Sequence, residues 1–123
     1  MKYTSKFDKK KNICIIHVTG EYHRNKESEE LKRFTINFSS EHGCSRFLIN
    51  MTQAKIIEST FQTFKAAQPQ KDIFYKLLKL KTAFLYNTIT TKETFLENVA
   101  VNRGLQVKVF DVFDKAIEWL EQK

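Results

Sequence analysis

The sequence predicts one α/β domain that contains a mixed five-stranded sheet and about four helices. Its length of 123 residues suits a single globular domain and is too short for two. After two strand-like segments, apolar runs alternate with segments of helical periodicity, which is typical of strands joined by right-handed crossovers. Hydrophobic residues form 41% of the chain and include 11 Phe, a composition that argues against intrinsic disorder.

The first two strands are predicted at residues 2–8 and 12–22, where they form a hairpin. A turn at residues 9–11, all lysines, would join them. The second strand contains an almost continuous apolar run from Ile13 to Val18. Such a run predicts an interior strand that is covered on both faces.

The first helix is predicted to follow a polar stretch at residues 21–26, with Asn25 as its N-cap and Gly43 at its C-terminal end. Acidic residues in its first turn would oppose the positive end of the helix dipole. One apolar stripe at helical spacing comprises Leu31, Phe34 and Phe38.

The middle of the chain predicts a buried strand at residues 46–51, a loop at 52–57 and a helix that begins near Ser59. Ser59 is followed three residues later by a Gln, which is the pattern of a capping box. Pro69 interrupts this helical region, and a second helical piece is predicted at residues 72–80.

The C-terminal third predicts two further strands, at residues 82–88 and 105–110, and the second alternates as at a sheet edge. Between them, Thr90 and Glu93 form a capping-box pattern at the start of a helix that ends at Gly104. Asp111 would cap the last helix. The inward residues of these two helices are predicted to be Phe95, Leu96, Val99, Ala100, Phe113, Ala116, Ile117 and Leu120.

Charge and targeting signals narrow the function classes. The formal net charge is +7, but the only dense basic run is the lysine turn. The chain has no arginine cluster and no aromatic-basic motif, which argues against a nucleic-acid partner. It also has no apolar run of about 18 residues and no N-terminal apolar segment. We therefore expect a cytoplasmic protein without a transmembrane segment.

No catalytic or metal-binding pattern stands out. Cys14 and His17 are three apart on a predicted strand and so point to opposite faces. The three histidines are far apart in sequence, none at metal-ligand spacing with a Cys or an acid, and no glycine-rich phosphate loop is present. We expect a protein that is not an enzyme, binds no metal or other cofactor, and keeps Cys14 and Cys44 as free thiols.

An apolar set lies on the two helical pieces around Pro69. It consists of Phe61, Phe64, Phe74, Leu77 and Leu78. Ordinary core packing explains such spacing. The alternative hypotheses are a movable flap over a pocket for an apolar, lipid-like ligand, or an exposed patch for self-association.

Residues 107–120 resemble the closing strand and helix of the STAS-like (stage II sporulation protein AA-like) family. Members of that family often end in a Phe and an acid followed by Ala-x-x-Trp-Leu, here at Phe110, Asp111 and Ala116 to Leu120. The order of elements also matches over essentially the whole chain. The resemblance implies a mixed sheet with an antiparallel first strand, and the fold is shared with CRAL/TRIO-type lipid carriers.

The middle of the chain is similar to the family's anti-sigma-factor antagonists at Glu58, Ser59 and Thr60. Those antagonists carry Asp-Ser-Ser-Gly there, and a partner kinase phosphorylates a hydroxyl. In this chain Phe61 replaces the Gly. The resemblance implies a regulatory domain that binds a protein partner or a second copy of itself, with these three residues as a candidate phospho-acceptor or partner site. The other interpretation of Ser59, a simple helix cap, stays open.

Overall fold

The structure is a computed structural model, and it describes residues 1–57 and 71–122. In these ranges the chain forms one five-stranded sheet and four helices. The strands are β1 (Lys2–Asp8), β2 (Ile13–His23), β3 (Arg46–Ile57), β4 (Lys81–Leu85) and β5 (Gln106–Phe110). The helices are α1 (Arg24–His42), α2 (Lys71–Leu77), α3 (Thr91–Asn102) and α4 (Phe113–Glu121).

Strand order in the sheet follows the chain, from β1 at one edge to β5 at the other. β1 pairs antiparallel with β2, and the other neighbouring pairs are parallel. Successive right-handed crossovers that advance in one direction leave their helices on one face of a sheet. α1, α2 and α3 accordingly cover one face, whereas α4 packs on the opposite face. The predicted fold class is confirmed.

The sheet register explains which residues face the three helices. Cys14, Phe47 and Thr82 form one cross-strand row, and Ile16, Ile49, Phe84 and Val109 form the next. The apolar residues of the predicted strands and of the last helix are expected to form the core. Six of them are buried: Ile13, Ile16, Phe47, Ile49, Leu85 and Leu120. Four more are half-buried: Ile15, Val107, Val109 and Ile117.

β2 is an interior strand, as predicted, but His17 is exposed rather than buried. Among the described elements, α4 packs on this face, over β3, β4 and β5, and it does not cover His17. The Nδ1 atom of His17 lies 3.4 Å from the Nδ2 atom of Asn50 on β3. Cys14 points to the opposite, helix-covered face, so these two side chains cannot act together.

The loop predicted at residues 52–57 is wrong, because β3 continues to Ile57. Here β3 pairs in parallel with the far end of β2, from Thr19 opposite Gln53 to His23 opposite Ile57. Pairing with β2 supplies backbone hydrogen bonds that local sequence patterns do not predict. β4 is also shorter than predicted and ends at Leu85.

Two helix starts differ from the prediction. Asn25 lies inside α1, whose N-cap is His23, and Val112 rather than Asp111 is the N-cap of α4. Neither N-cap forms a side-chain capping bond. At the start of α1 the Glu27 carboxylate instead accepts the His23 backbone N–H at 2.7 Å.

Other helix boundaries are confirmed. Gly43 adopts the left-handed conformation (φ 67°) and ends α1, with its N–H donating to the Ser39 carbonyl. Thr90 and Glu93 form the predicted capping box at α3. The second helical piece, however, spans Lys71–Leu77 and stops short of residue 80.

Two residues predicted to point inward are exposed. Phe95 on α3 is 39% exposed, and Phe113 at the first position of α4 is 43% exposed. α4 packs in the core through Ala116 and Leu120, one turn and two turns later, and Phe113 is not part of that cluster. No helix in the described ranges is long and apolar enough to cross a membrane.

Candidate functional site

A cavity of about 130 Å³ lies between the sheet and its three helices. Its floor is formed by apolar side chains of the central strands, including Ile49, Met51 and Phe84. Leu31 of α1, Leu77 of α2 and Leu96 of α3 contribute to its walls. Apolar cavities of about 150 Å³ in other proteins stay dry and accept benzene. This cavity therefore has the size and the surface to hold one small apolar molecule.

A buried ion pair lies beside the cavity at the carboxyl ends of the strands. Nη2 of Arg24, a residue that lines the cavity, donates to Oε2 of Glu93 at 2.6 Å. The guanidinium also lies 5.7 Å from the centre of the Tyr86 ring. Both members of the pair are buried, at 2% and 5% exposure. The pair joins the start of α1, which follows β2, to the first turn of α3, which follows β4.

Glu93 is held by more than this ion pair. Its Oε1 atom accepts the backbone N–H of Thr90 at 2.8 Å and the Thr90 hydroxyl at 2.6 Å. Burial by itself would raise the pKa of Glu93, but the hydrogen bonds from Thr90 and Arg24 and the positive charge of Arg24 outweigh it and lower the pKa. The carboxylate is therefore ionised at neutral pH and fixes the entry of α3.

Two further charged residues line the cavity. Lys32 is half-buried on α1, and its burial lowers the pKa of the ammonium, although the charge of Glu29 opposes that shift. Glu97 on α3 accepts the backbone N–H of Val109 at 2.8 Å. Glu97 thereby satisfies a donor on the edge strand β5. Charged residues therefore line a cavity whose surface is mostly apolar.

The two cysteines are free thiols in the structure. Both are fully buried, and the Cys44 Sγ donates to the carbonyl of Arg46 at 3.2 Å. Burial, followed by the neighbouring Cys44, raises the pKa of Cys14 to about 12. A thiol with such a pKa carries almost no thiolate at neutral pH and is a poor nucleophile.

A second, polar concavity of about 460 Å³ lies at the carboxyl ends of β3 and β4. Two of its polar side chains already bond within the protein, since Asn87 donates to the Thr52 carbonyl at 2.7 Å and Thr90 caps α3. Within residues 1–57 and 71–122 no three His, Cys, Asp or Glu side chains come together as a metal site would require. We therefore take the apolar cavity as the candidate site.

The sequence-predicted site residues divide into two groups. Glu58, Ser59, Thr60, Phe61 and Phe64 lie outside the described residues. Phe74, Leu77 and Leu78 are half-buried on α2 and the turn after it. Leu77 is the member of this second group that lines the cavity.

Sequence reasoning missed Arg24, Lys32 and Glu97 as cavity residues. A signal for Lys32 was present, because positions 28, 31, 32 and 35 share one helical face, and all four line the cavity. No local pattern marks Arg24, because its partner Glu93 lies 69 positions further along the chain.

Comparisons with known proteins bear on the fold. No protein-family profile and no curated protein sequence matches the chain. A solved structure of the unphosphorylated anti-sigma factor antagonist SpoIIAA is 10% identical, with a TM-score of 0.58, and the match covers 99% of this chain and all of that one. The fold is SpoIIAA-like.

Two other solved structures share the SpoIIAA-like fold with this chain. An uncharacterised DUF3478-family protein from Shewanella loihica PV-4, itself described as having a SpoIIAA-like fold, is 14% identical over 97% of this chain and 92% of its own, with a TM-score of 0.58. The protein TM1081 is also 14% identical, over 100% and 91% of the two chains, with a TM-score of 0.60. At these identities the similarity concerns the fold.

Proposed function

We propose that this chain is a non-enzymatic domain that binds a small apolar ligand in the cavity and serves as its carrier or sensor. The observation that carries the proposal is the cavity beneath the three helices. Its apolar walls come from β3, β4 and β5 and from α1, α2 and α3. A ligand there would contact elements that are far apart in the sequence.

The apolar lining supports the proposal. An apolar ligand in this volume of about 130 Å³ gains van der Waals contacts with the lining side chains and is itself removed from water.

Filling the cavity from the protein side tests the proposal. Ala100 lines the cavity from α3, so Ala100→Leu places three further carbon atoms inside it. We expect toluene to bind the unmodified protein and to lose at least about tenfold in affinity for this variant, because one occupant excludes the other. Methyl-resolved NMR titration with toluene measures both affinities.

The next residue of the same helix provides a matched control. Val101 is 52% exposed and does not line the cavity. Val101→Leu adds a methylene on the outer side of α3 and should leave toluene binding unchanged. If toluene bound both variants equally well, or did not bind the unmodified protein, the cavity would not be a ligand site.

A second candidate function is a regulatory protein interaction, for which two observations speak. Two solved structures of SpoIIAA, an anti-sigma factor antagonist, resemble this chain in fold. In addition, the apolar residues Val112 and Phe113, which follow β5 in the chain, are 42% and 43% exposed. The partner would be another protein or a second copy of this chain, with Glu58, Ser59 and Thr60 as its docking and phospho-acceptor site.

This second function predicts that negative charge at residues 59 and 60 opposes association. We expect the double change Ser59→Asp, Thr60→Asp to weaken self-association in analytical ultracentrifugation, because a phosphate-like charge disfavours an apolar interface. The fold should remain cooperative, since Asp caps a helix as well as Ser does. If the unmodified protein and the double variant associated equally, the regulatory switch would be ruled out and Ser59 would serve only as a helix cap.

A further inference from the structure

The sheet face opposite α1, α2 and α3 is covered over only part of its width by the described residues. α4 packs on this face over β3, β4 and β5. Over β1 and β2, the side chains that alternate with the buried ones are exposed apart from the half-buried Ile15, and they are Lys2, Thr4, Lys6, His17 and Thr19. The face therefore has the shape of a step, high where α4 lies and low over β1 and β2.

Such a stepped face is complementary in shape to a second copy of itself. When two copies stack with these faces inward about a two-fold axis parallel to the strands, α4 of each copy lies over β1 and β2 of the other. Two strands about 4.8 Å apart provide a surface about 10 Å wide, and one helix with its side chains has a diameter of about 10 Å. The nine residues of α4 span about 14 Å, whereas the seven residues of β1 span about 23 Å.

The two halves of the step carry opposite charge. The low half presents Lys2 and Lys6 together with the imidazole of His17, and no acidic side chain stands in the same cross-strand rows of β1 and β2. Asp8, at the end of β1, is engaged by the backbone N–H groups of the turn that follows it. The low half is therefore a basic surface.

The exposed side of α4 is acidic. It carries Asp114, Glu118 and Glu121 against a single exposed base, Lys115. Glu121 lies 3.4 Å from Lys11 of its own hairpin, so the attraction between this helix and the basic hairpin is already used once within the chain. Glu118 and Asp114 have no such partner among the printed ion pairs of the described residues.

The sheet register also places the opposite charges at similar levels along the strands. The Lys81 ammonium donates to the carbonyls of Trp119 and Gln122 at 2.6 and 2.8 Å, so the C-terminal end of α4 lies beside the row that contains Lys81 and Ile13. The row of Lys6 is the next one along this face. A two-fold axis parallel to the strands preserves these levels and brings the last two turns of one α4 over the Lys6 row of the other copy.

We propose that this stepped face is the interface of a symmetric dimer, in which α4 of each copy packs on β1 and β2 of the other. Glu118 of one copy faces Lys6 of the other, and Asp114 lies toward the row of Thr4 and His17. This inference goes beyond the proposed ligand function, because it uses neither the cavity nor residues 59 and 60. An interface of exposed polar groups is of the weak class, so we expect a dissociation constant in the micromolar range that rises with salt.

Charge reversal on each side of the interface tests the dimer. We expect Lys6→Glu and Glu118→Lys each to weaken dimerisation at least about tenfold, because the two-fold axis places each like-charge contact in the dimer twice. An equimolar mixture of the two variants should dimerise as tightly as the unmodified protein, since both Lys–Glu contacts of the mixed dimer again join opposite charges. Sedimentation equilibrium at low ionic strength measures all four samples.

Matched controls come from the helices on the opposite face. Lys76→Glu on α2 and Glu30→Lys on α1 make the same charge changes at exposed positions and should leave dimerisation unchanged. A protein that stays monomeric at about 1 mM, a dimer insensitive to salt, or a mixture without rescue would overturn the dimer. If Ser59→Asp, Thr60→Asp weakened association and Lys6→Glu did not, the contact would lie at residues 59 and 60 instead. Toluene binding in the cavity is measured separately and does not depend on these outcomes.

Discussion

Arg24→Met is expected to lower the free energy of unfolding by about 3–5 kcal/mol, because it leaves the Glu93 carboxylate buried without its counter-charge. Nη2 and Oε2 of the pair are 2.6 Å apart, and both residues are almost fully buried. The substitution also removes the cation from the face of the Tyr86 ring. Urea unfolding followed by circular dichroism measures the loss.

Glu93→Gln in the same chain should restore much of that stability. Gln keeps the capping role at the start of α3 but carries no charge, so the double variant buries no uncompensated carboxylate. Lys11→Met serves as the comparison. It breaks the exposed ion pair between Lys11 Nζ and Glu121 Oε1, which are 3.4 Å apart. That loss should stay within about 1 kcal/mol. Similar losses for Arg24→Met and Lys11→Met would show that the buried pair does not stabilise the fold.

The pH dependence of the same variant gives an independent readout. The folded-state pKa of Glu93 is lowered, so its contribution to stability is present above the unfolded-state pKa, about 4.3, and is lost as the pH falls through the folded-state value. In Arg24→Met the pKa of Glu93 is lowered less, because the positive charge beside the carboxylate is gone. The stability difference between the unmodified protein and Arg24→Met should therefore narrow as the pH falls below about 4. A difference independent of pH would assign the loss to packing.

Ile16→Ala is expected to cost about 2–5 kcal/mol, since it opens a cavity in a fully buried part of β2. Ile16 is 0% exposed and packs in the cluster beneath α1, opposite Ile49 of β3. The adjacent strands β1 and β3 hold β2 in place, so the surrounding structure has little freedom to collapse into the space. Chemical denaturation with an unchanged m-value would report this loss.

Ile15→Ala removes the same atoms from the next residue and serves as the control. Ile15 points to the other face of the sheet and is only half-buried, so water already reaches part of its side chain. Ile15→Ala should therefore lower the free energy of unfolding clearly less than Ile16→Ala does. An equal or larger loss for Ile15→Ala would contradict the assignment of the tighter packing to the helix-covered face.

Local features of the sequence determined the parts of the fold that depend on neighbouring residues. The apolar run from Ile13 to Val18 predicted an interior strand, because only burial on both faces removes such a run from water. Gly43 and the Thr90–Glu93 pair marked helix ends through backbone conformation and capping bonds that involve only a few residues. The order of strands and helices followed from the change between the two periodicities.

Tertiary pairing decided the features that local patterns described wrongly. Residues 52–57 became part of β3 because the end of β2 lies beside them and supplies backbone partners. Asn25 lost its predicted capping role because α1 begins earlier, at Arg24, where Glu27 accepts the His23 N–H. Phe113 is exposed because α4 packs in the core through Ala116 and Leu120 instead.

The candidate site was decided almost entirely by the tertiary structure. The apolar set around Pro69 suggested a pocket, and Leu77 of that set does line the cavity. Arg24 lines the cavity, and Glu93, which binds its guanidinium, lies 69 positions further along the chain. Periodicity shows which face of a helix is apolar. Only packing shows that α1, α2 and α3 together border a cavity above the sheet.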